Sequence, residues 1–433
     1  MTIQEIKDKG IVGAGGAGFP THIKLQTHAD VIIMNAAECE PLLHKDIELL
    51  NNHTEDILKG FRMALALTGA RHGIIGIKEK HRTLITQLKD KLPDSMEIVP
   101  VEDFYPAGDE VTLVYLTTGR LIQPGQLPAS VGCVVQNVET LFNLNLPGPL
   151  THKFLTVAGE VDTPQTVAVP IGTSFGEVLS HFKITTRNIR IRSGGLMMGT
   201  LEKSADAVVT KTTGGLIVLP QDHPCVQMYE RYAAPAQTDR TAKSSCDQCS
   251  FCTELCPRYL LGHPVRPETA MRNRMFTRRD MSLFHSGNAF CCECNLCTLY
   301  SCPEGLDPRG ATVIEKNMMD SEYPPWEGLP VSPHPMIDYR RVPVRKLKQR
   351  LQVTQYRDEG PLYGLKIEPE KVRIPFKQHI GRPAQCIVET GQKIQRSEKI
   401  AEADGDLSVP VHASIEGRVR EITETEIVIQ RDA

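Results

Sequence analysis

Cys246-Asp-Gln-Cys249-Ser-Phe-Cys252-Thr-Glu-Leu-Cys256-Pro257 is the stretch around which this chain is organised. Three cysteines stand at every third position, a fourth follows after three more residues, and proline comes next. Further along, Cys291-Cys292-Glu-Cys294-Asn-Leu-Cys297-Thr-Leu-Tyr-Ser-Cys302-Pro303 repeats the pattern with one extra residue before its last cysteine. A tight loop can turn three thiolates toward one cubane, and the fourth has to arrive from elsewhere. Two such runs are the ligand pattern of two 4Fe–4S clusters.

In bacterial two-cluster ferredoxins the fourth cysteine of each run serves the other cluster. That rule assigns Cys246, Cys249, Cys252 and Cys302 to one cluster and Cys291, Cys294, Cys297 and Cys256 to the second. Cys292 sits beside Cys291 and competes with it as first ligand; the CxxCxxC rhythm favours Cys291. Disulfides would need an oxidising compartment, and the first residues do not read as a signal peptide. Zinc sites come as separated CxxC pairs rather than triplets with a trailing Cys-Pro. Thirteen cysteines in 433 residues therefore read as cofactor ligation in a reducing, cytoplasmic setting. A formal net charge of −3 argues against nucleic-acid binding. No apolar run reaches the length of a transmembrane segment.

The second strong signal is Gly10-Ile-Val-Gly13-Ala-Gly15-Gly16-Ala-Gly18-Phe19-Pro20-Thr21-His-Ile-Lys24. Close-set glycines let the backbone approach a ligand and turn N–H groups toward an anion. No Gly-Lys-Ser/Thr follows, so this is not a Walker loop, and no clear strand precedes it, as a dinucleotide fingerprint requires. Read alone, it is a turn. Its surroundings say more. Val31–Met34, Gly73–Ile77 and Glu97–Val101 read as short buried strands, with helices over Asn51–Thr68 and His81–Leu92. This alternation predicts a parallel α/β sheet. Asn35-Ala-Ala-Glu38-Cys39-Glu40-Pro41 follows the first strand, at the end where such sheets bind ligands. Tyr105-Pro-Ala-Gly108-Asp109-Glu110 follows the third.

Gly13–Lys24, Asn35–Pro41, Gly108-Asp109-Glu110 and Gln136-Asn137-Val138-Glu139-Thr140-Leu141 together resemble the FMN and NADH sites of the complex I flavoprotein subunit. They resemble still more the C subunit of Rnf-type ferredoxin:NAD oxidoreductases. The order of modules, with the iron–sulfur pair after the flavin domain, is similar to the cobalamin reductases of propanediol-utilisation microcompartments. By this resemblance Gly13, Gly15, Gly16, Gly18 and Lys24 contact FMN phosphate and the NADH side, and Phe19 stacks on the dinucleotide. Asn35, Glu38 and Glu40 line the flavin pocket. Gly108, Asp109 and Glu110 lie near the nicotinamide and its ribose, and Asn137 and Thr140 hold ribityl or phosphate. Two positions depart from the complex I pattern: Ala14 stands where that family has Arg, and Ala37 where it has Asp. Taken alone, Glu38, Glu40, Asp109 and Glu110 would be solvated carboxylates.

The expected architecture is an α/β flavin/NADH-binding domain over residues 1–150 and a soluble-ligand-binding β-grasp module over 151–225. A helical, ferredoxin-like two-cluster domain spans 226–320, a Pro-rich linker 321–370, and a barrel-sandwich hybrid 371–433. The β-grasp expectation is four strands clasping a helix near Ser174–Phe182; its Ser193–Gly199 loop reads as a turn packed on the flavin domain. Arg272, Arg274, Arg278 and Arg279 read as a solvated helix face. The linker, with Pro324-Pro325 among its prolines, should lie against other domains. The last module resembles biotinyl and lipoyl carriers, but no lysine stands at its expected hairpin tip, Val411-His412-Ala413-Ser414, so it is a structural or docking module rather than a swinging arm.

The resemblance implies an NADH-dependent oxidoreductase. FMN would convert two-electron to one-electron chemistry, two 4Fe–4S clusters would relay, and cobalamin would accept. Adenosyltransferase and shell proteins are the implied partners, inside a bacterial microcompartment. The alternative is an electron-transfer subunit of an Rnf-like complex; a third possibility is a non-catalytic shell component. No Asp-x-His-x-x-Gly cobalamin motif is present.

Overall fold

The computed structural model describes residues 1–275, 286–318 and 328–432. Arg278, Arg279 and Pro324-Pro325 lie outside these residues. Within them Arg272 is exposed, whereas Arg274 is buried against Asp239 at 3.1 Å instead of lying on a solvated face.

The first sheet is parallel, in the spatial order Met96–Val101, His72–Lys78, Val31–Ala36, Cys133–Asn137. Its strands are apolar on both faces because helices cover both. Ile32, Met34, Ile75 and Val134 pack with the helices Lys45–Asn52 and Thr54–Thr68. Ile33, Ile74, Val101 and Val135 pack with Leu113 and Val114 of the helix Glu110–Thr118. The single helix expected over Asn51–Thr68 is two, because His53 leaves helical backbone angles (φ −128°, ψ 32°) and tilts its ring onto Phe142 and Phe154. Gly60 is required here: a Cβ on it would fall 1.8 Å from the Leu141 carbonyl of the helix Val138–Leu144. From Val31–Ala36 the chain winds outward one way, and Cys133–Asn137 lies on the other side. The switch point of the sheet therefore falls between these two strands.

The second sheet has six strands, in the order Leu362–Lys366, Gln165–Pro170, His152–Gly159, Gly215–Pro220, Ile189–Ser193, Thr200–Leu201. The middle four match the expected number, Ile189–Ser193 being one whose residues were not read as a strand, and the helix Phe175–Ser180 packs on them through Phe175, Val178 and Leu179. One added edge strand comes from the connector, which pairs parallel to Gln165–Pro170. The connector also pairs Val342–Pro343 with Phe104–Tyr105 and forms the helix Val344–Arg350. It does lie against other parts of the molecule, and it adds a strand to one of them.

The last residues form two facing sheets. One joins Lys371–Pro375, Glu426–Gln430, Gly417–Ile422 and Lys393–Ile394; the other joins Gln385–Cys386, Lys399–Glu402 and Val411–His412. Ile374, Ile394, Ile400, Val411, Ile427 and Ile429 form a core between them. The cysteine runs lie among the helices Pro224–Arg231, Pro235–Ser245, Pro267–Met275 and Pro308–Met318 and two short turns. Among the described residues no helix is long and apolar enough to cross a membrane.

Candidate functional site

The glycine loop closes over the switch point. Its neck is a bridge between Val12 and Pro20, and Gly13 N donates to the Phe19 carbonyl at 2.8 Å. Ala14 N donates to Thr140 Oγ1 at 2.9 Å, and a Cβ on Gly15 would lie 3.3 Å from Asn137 Cβ. Asn35 and Asn137 are register partners at the carboxyl ends of the two strands flanking the switch point. Asn35 Nδ2 donates to the Gly108 carbonyl at 2.8 Å, which brings the Gly108-Asp109-Glu110 turn to the same place. Lys24 pairs with Glu110 at 2.8 Å across the mouth. Gly16 has φ 132°, in the region that favours glycine, and a Cβ there would meet nothing within 4 Å. Among the described residues, buried Gln136 Nε2 and Thr21 Oγ1 have no hydrogen-bond partner. An open face, a backbone free of side chains and spare polar atoms at a switch point fit a flat, phosphate-bearing cofactor such as FMN.

Not every motif residue points there. Asp109 caps the helix Glu110–Thr118 through Thr112 N and Thr112 Oγ1, both at 2.9 Å, and takes both guanidinium nitrogens of Arg258, at 2.5 and 2.9 Å. Burial alone would raise its pKa, but Arg258 and these bonds hold its carboxyl below the usual range. Glu40 accepts from Met197 N and Met198 N at 2.8 Å each, so it anchors the Ser193–Gly199 loop. Glu38 accepts from Asp46 N; burial and the nearby Asp46 push it up to about 7.

Beneath the pocket runs a buried charge network that reading the sequence did not single out. Glu139 lies between Lys153 and Lys45, the latter at 3.0 Å, and Lys45 also meets Asp46 at 2.5 Å. Asn137 Nδ2 donates to Asp46 Oδ2 at 2.8 Å, tying the network to the pocket floor. Burial pulls Lys153 down to about 8, whereas the two lysines outweigh burial for Glu139 and hold it ionised. Glu139 lies inside the quoted Gln136–Leu141 motif, and that position was the one available signal.

The eight cysteines surround two cavities. Cys246, Cys249, Cys252 and Cys302 line one. Cys256, Cys291, Cys294 and Cys297, with Cys292, line the other. The two loops have the same backbone: Gln248 and Ser250 in the first, and Glu293 and Asn295 in the second, are all left-handed, with φ between 55° and 66°. These positions align Cys291, not Cys292, with Cys246; Cys292 corresponds to Asp247. The extra residue of the second run is taken up by a π-helical turn, Cys297–Ser301, where the first run has the α-turn Phe251–Glu254. Eight thiols placed four to a cavity fit two cubanes.

The cavities differ in their neighbours. Tyr105 of the flavin-side domain, fully buried, donates to the Cys294 carbonyl at 2.7 Å, and Arg258, two residues after Cys256, holds Asp109. The second cavity thus abuts the switch-point domain. Around the first, Cys249 is exposed and Phe251 is about half exposed. Arg350 of the connector helix donates to the Cys302 carbonyl at 2.9 Å.

Comparison with known proteins places these parts. Residues 6–146 match the Nuo51 FMN-binding domain, 245–307 a 4Fe-4S dicluster domain, and 358–433 the RnfC barrel sandwich hybrid domain. The chain is 32% identical over 59% of its length to the C subunit of the Na(+)-translocating ferredoxin:NAD(+) oxidoreductase complex of Acetobacterium woodii, covering 57% of that protein. It is 40% identical to the cobalamin reductase PduS of Salmonella typhimurium, covering 99% of this chain and 96% of that one. It is 39% identical to the PduS of Citrobacter freundii, covering 100% and 97%. The chain belongs to the PduS family.

Proposed function

We propose that this chain is an NADH-dependent corrinoid reductase that passes electrons from NADH through FMN and two 4Fe–4S clusters to cobalamin. The observation that carries the acceptor is the full-length match to two cobalamin reductases. FMN, when bound, takes a hydride and the clusters take electrons singly, so no protein acid or base is required at the nicotinamide. What the chain supplies is placement. Gly13, Gly15, Gly16 and Gly18 present the loop backbone, with Phe19 beside it. Asn35, Asn137 and Thr140 fix the pocket floor, Lys24 and Glu110 its mouth, and Glu38 its wall. Asp109 and Glu40 act at one remove, holding Arg258 and the Ser193–Gly199 loop. Tyr105 and Arg258 seat the Cys256/Cys291/Cys294/Cys297 loop against the flavin domain, which makes that cluster the inner one. The Cys246/Cys249/Cys252/Cys302 loop, with Cys249 exposed, faces outward toward an acceptor.

The division at 150, 225, 320 and 370 follows from the same reading. So does a place inside a bacterial microcompartment in the cytoplasm, beside a cobalamin adenosyltransferase and shell proteins. Membership of an Rnf-like complex is less favoured, because that match covers 59% of the chain rather than nearly all of it. The test is anaerobic stopped-flow with NADH and aquocobalamin, following flavin, cluster and corrin bands together. Corrin reduction after cluster bleaching is expected. Bleached flavin and clusters with an unchanged corrin, and ready reduction of ferredoxin instead, would refute the corrinoid reading.

A further inference from the structure

Gly10 begins the neck of the glycine loop and Gly18 ends the loop, and both meet one turn of the second sheet's domain. Lys211 Nζ donates to the Gly10 carbonyl at 2.8 Å and to the Pro410 carbonyl at 3.1 Å. Next to it, Thr212 Cγ2 stands 2.9 Å from where a Cβ on Gly18 would be, and His379 Cα stands 3.1 Å from the same point. The turn is itself held from the last module: Lys211 N donates to Gln378 Oε1 at 3.1 Å. Lys211 is 2% exposed, and among the described residues no carboxylate pairs with it. Both of its acceptors are main-chain carbonyls.

Burial pulls Lys211 down to about 7, so near neutral pH its amine is only partly charged, and its hydrogen bonds to two carbonyls hold it in place. Here its reach spans three segments distant in sequence: the neck of the glycine loop, the second sheet's domain and the last module. The amine faces His379 and His412 of the last module and the Gly10 backbone. Neither histidine supplies a counter-charge, because imidazole is never anionic, and burial keeps both from adding a second positive charge.

We infer that Lys211 is a positioning residue for the flavin, holding the neck of the glycine loop closed, with the last module bracing Lys211 through Gln378 and Pro410. The inference rests on the reading that this loop holds FMN. It makes flavin affinity depend on a lysine outside the flavin domain and on a glutamine in the C-terminal module. Neither touches the open face at Gly16.

The test titrates FMN into flavin-depleted, cluster-loaded full-length protein, with iron content as the folding control and visible circular dichroism of the bound flavin as a second readout. Lys211→Met, which keeps the packing volume, should raise the FMN Kd about tenfold, the scale of one lost hydrogen bond, and should change the flavin dichroism at saturation. Lys211→Gln, which keeps two N–H donors, should restore part of both. If Lys211→Met does not load its clusters, Gln378→Leu tests the same brace from the other module and should weaken FMN several-fold. Unchanged FMN affinity and dichroism in a folded Lys211→Met or Gln378→Leu protein would overturn the inference. Gly16→Val separates this from failure of the underlying reading: if that variant binds FMN as the native chain does, the loop is not the flavin site at all.

Discussion

Arg258→Met cuts the joint between the inner cluster's loop and the flavin domain. In the native chain Asp109 and Arg258 are both largely buried, with side chains 15% and 10% exposed. Removing one member of such a pair leaves an uncompensated charge and costs about 3–5 kcal/mol. Asp109 retains its two bonds to Thr112, so the loss should fall near the lower end, ~3 kcal/mol. The double variant Arg258→Met/Asp109→Asn keeps the helix cap and removes the charge, and should return to within ~1 kcal/mol of the native value. The pH dependence changes sign. Native Asp109 is held below its unfolded pKa, so its contribution is present above that pKa and is lost as pH falls through the folded one. In the single variant burial lifts the folded pKa above the unfolded one. Its stability should therefore be greatest in acid and should fall as pH rises toward neutrality. Anaerobic urea unfolding at pH 5 and pH 8, followed by near-ultraviolet dichroism and cluster absorbance, reads both effects. Equal losses in the single and double variants, or a single variant with native pH dependence, would refute the argument.

Two further outcomes follow from the site. Native protein should carry close to eight iron and eight sulfide per chain, and Cys249→Ser or Cys294→Ser about half that, by iron and sulfide assay; zinc, or four iron in the native chain, would be inconsistent with two cubanes. Cys292→Ala, at the position matching Asp247, should keep full iron content, whereas Cys291→Ala should lose one cluster by electron paramagnetic resonance; the reverse result would shift the register of the second loop.

Much of this was legible because the chemistry demands local spacing. The cysteine runs, the glycine loop and the Asn35 and Asn137 motifs are short segments whose backbone needs are met by their own residues. What could not be read depends on distant partners. Leu362-Tyr-Gly-Leu-Lys366 carries no strong strand signal, and it is a strand because Gln165–Pro170 offers it an open edge. Lys45, Asp46, Glu139 and Lys153 look like surface charges one at a time, and become a buried network only when a helix, a strand and the switch point meet. Asp109 and Glu40 stand in motifs read as lining the pocket, yet their carboxylates turn to Arg258 and the Met197 loop, which no spacing rule foretells. The π-turn after Cys297 shows the converse: a one-residue insertion visible in the sequence was absorbed without disturbing the register of the loop.

The seat of the C-terminal module has an evolutionary corollary. Its loop from Gly405 to Pro410 touches Lys7, His22 and, through Lys211, Gly10. A module that docks on Lys7, Gly10 and His22 does not depend on which end of the chain carries it. Joined ahead of Ile3 by a linker, the same fold could find the same seat. Genes encoding this architecture could thus be permuted, with the module moved from one terminus to the other, while the assembled molecule kept its shape around the flavin loop.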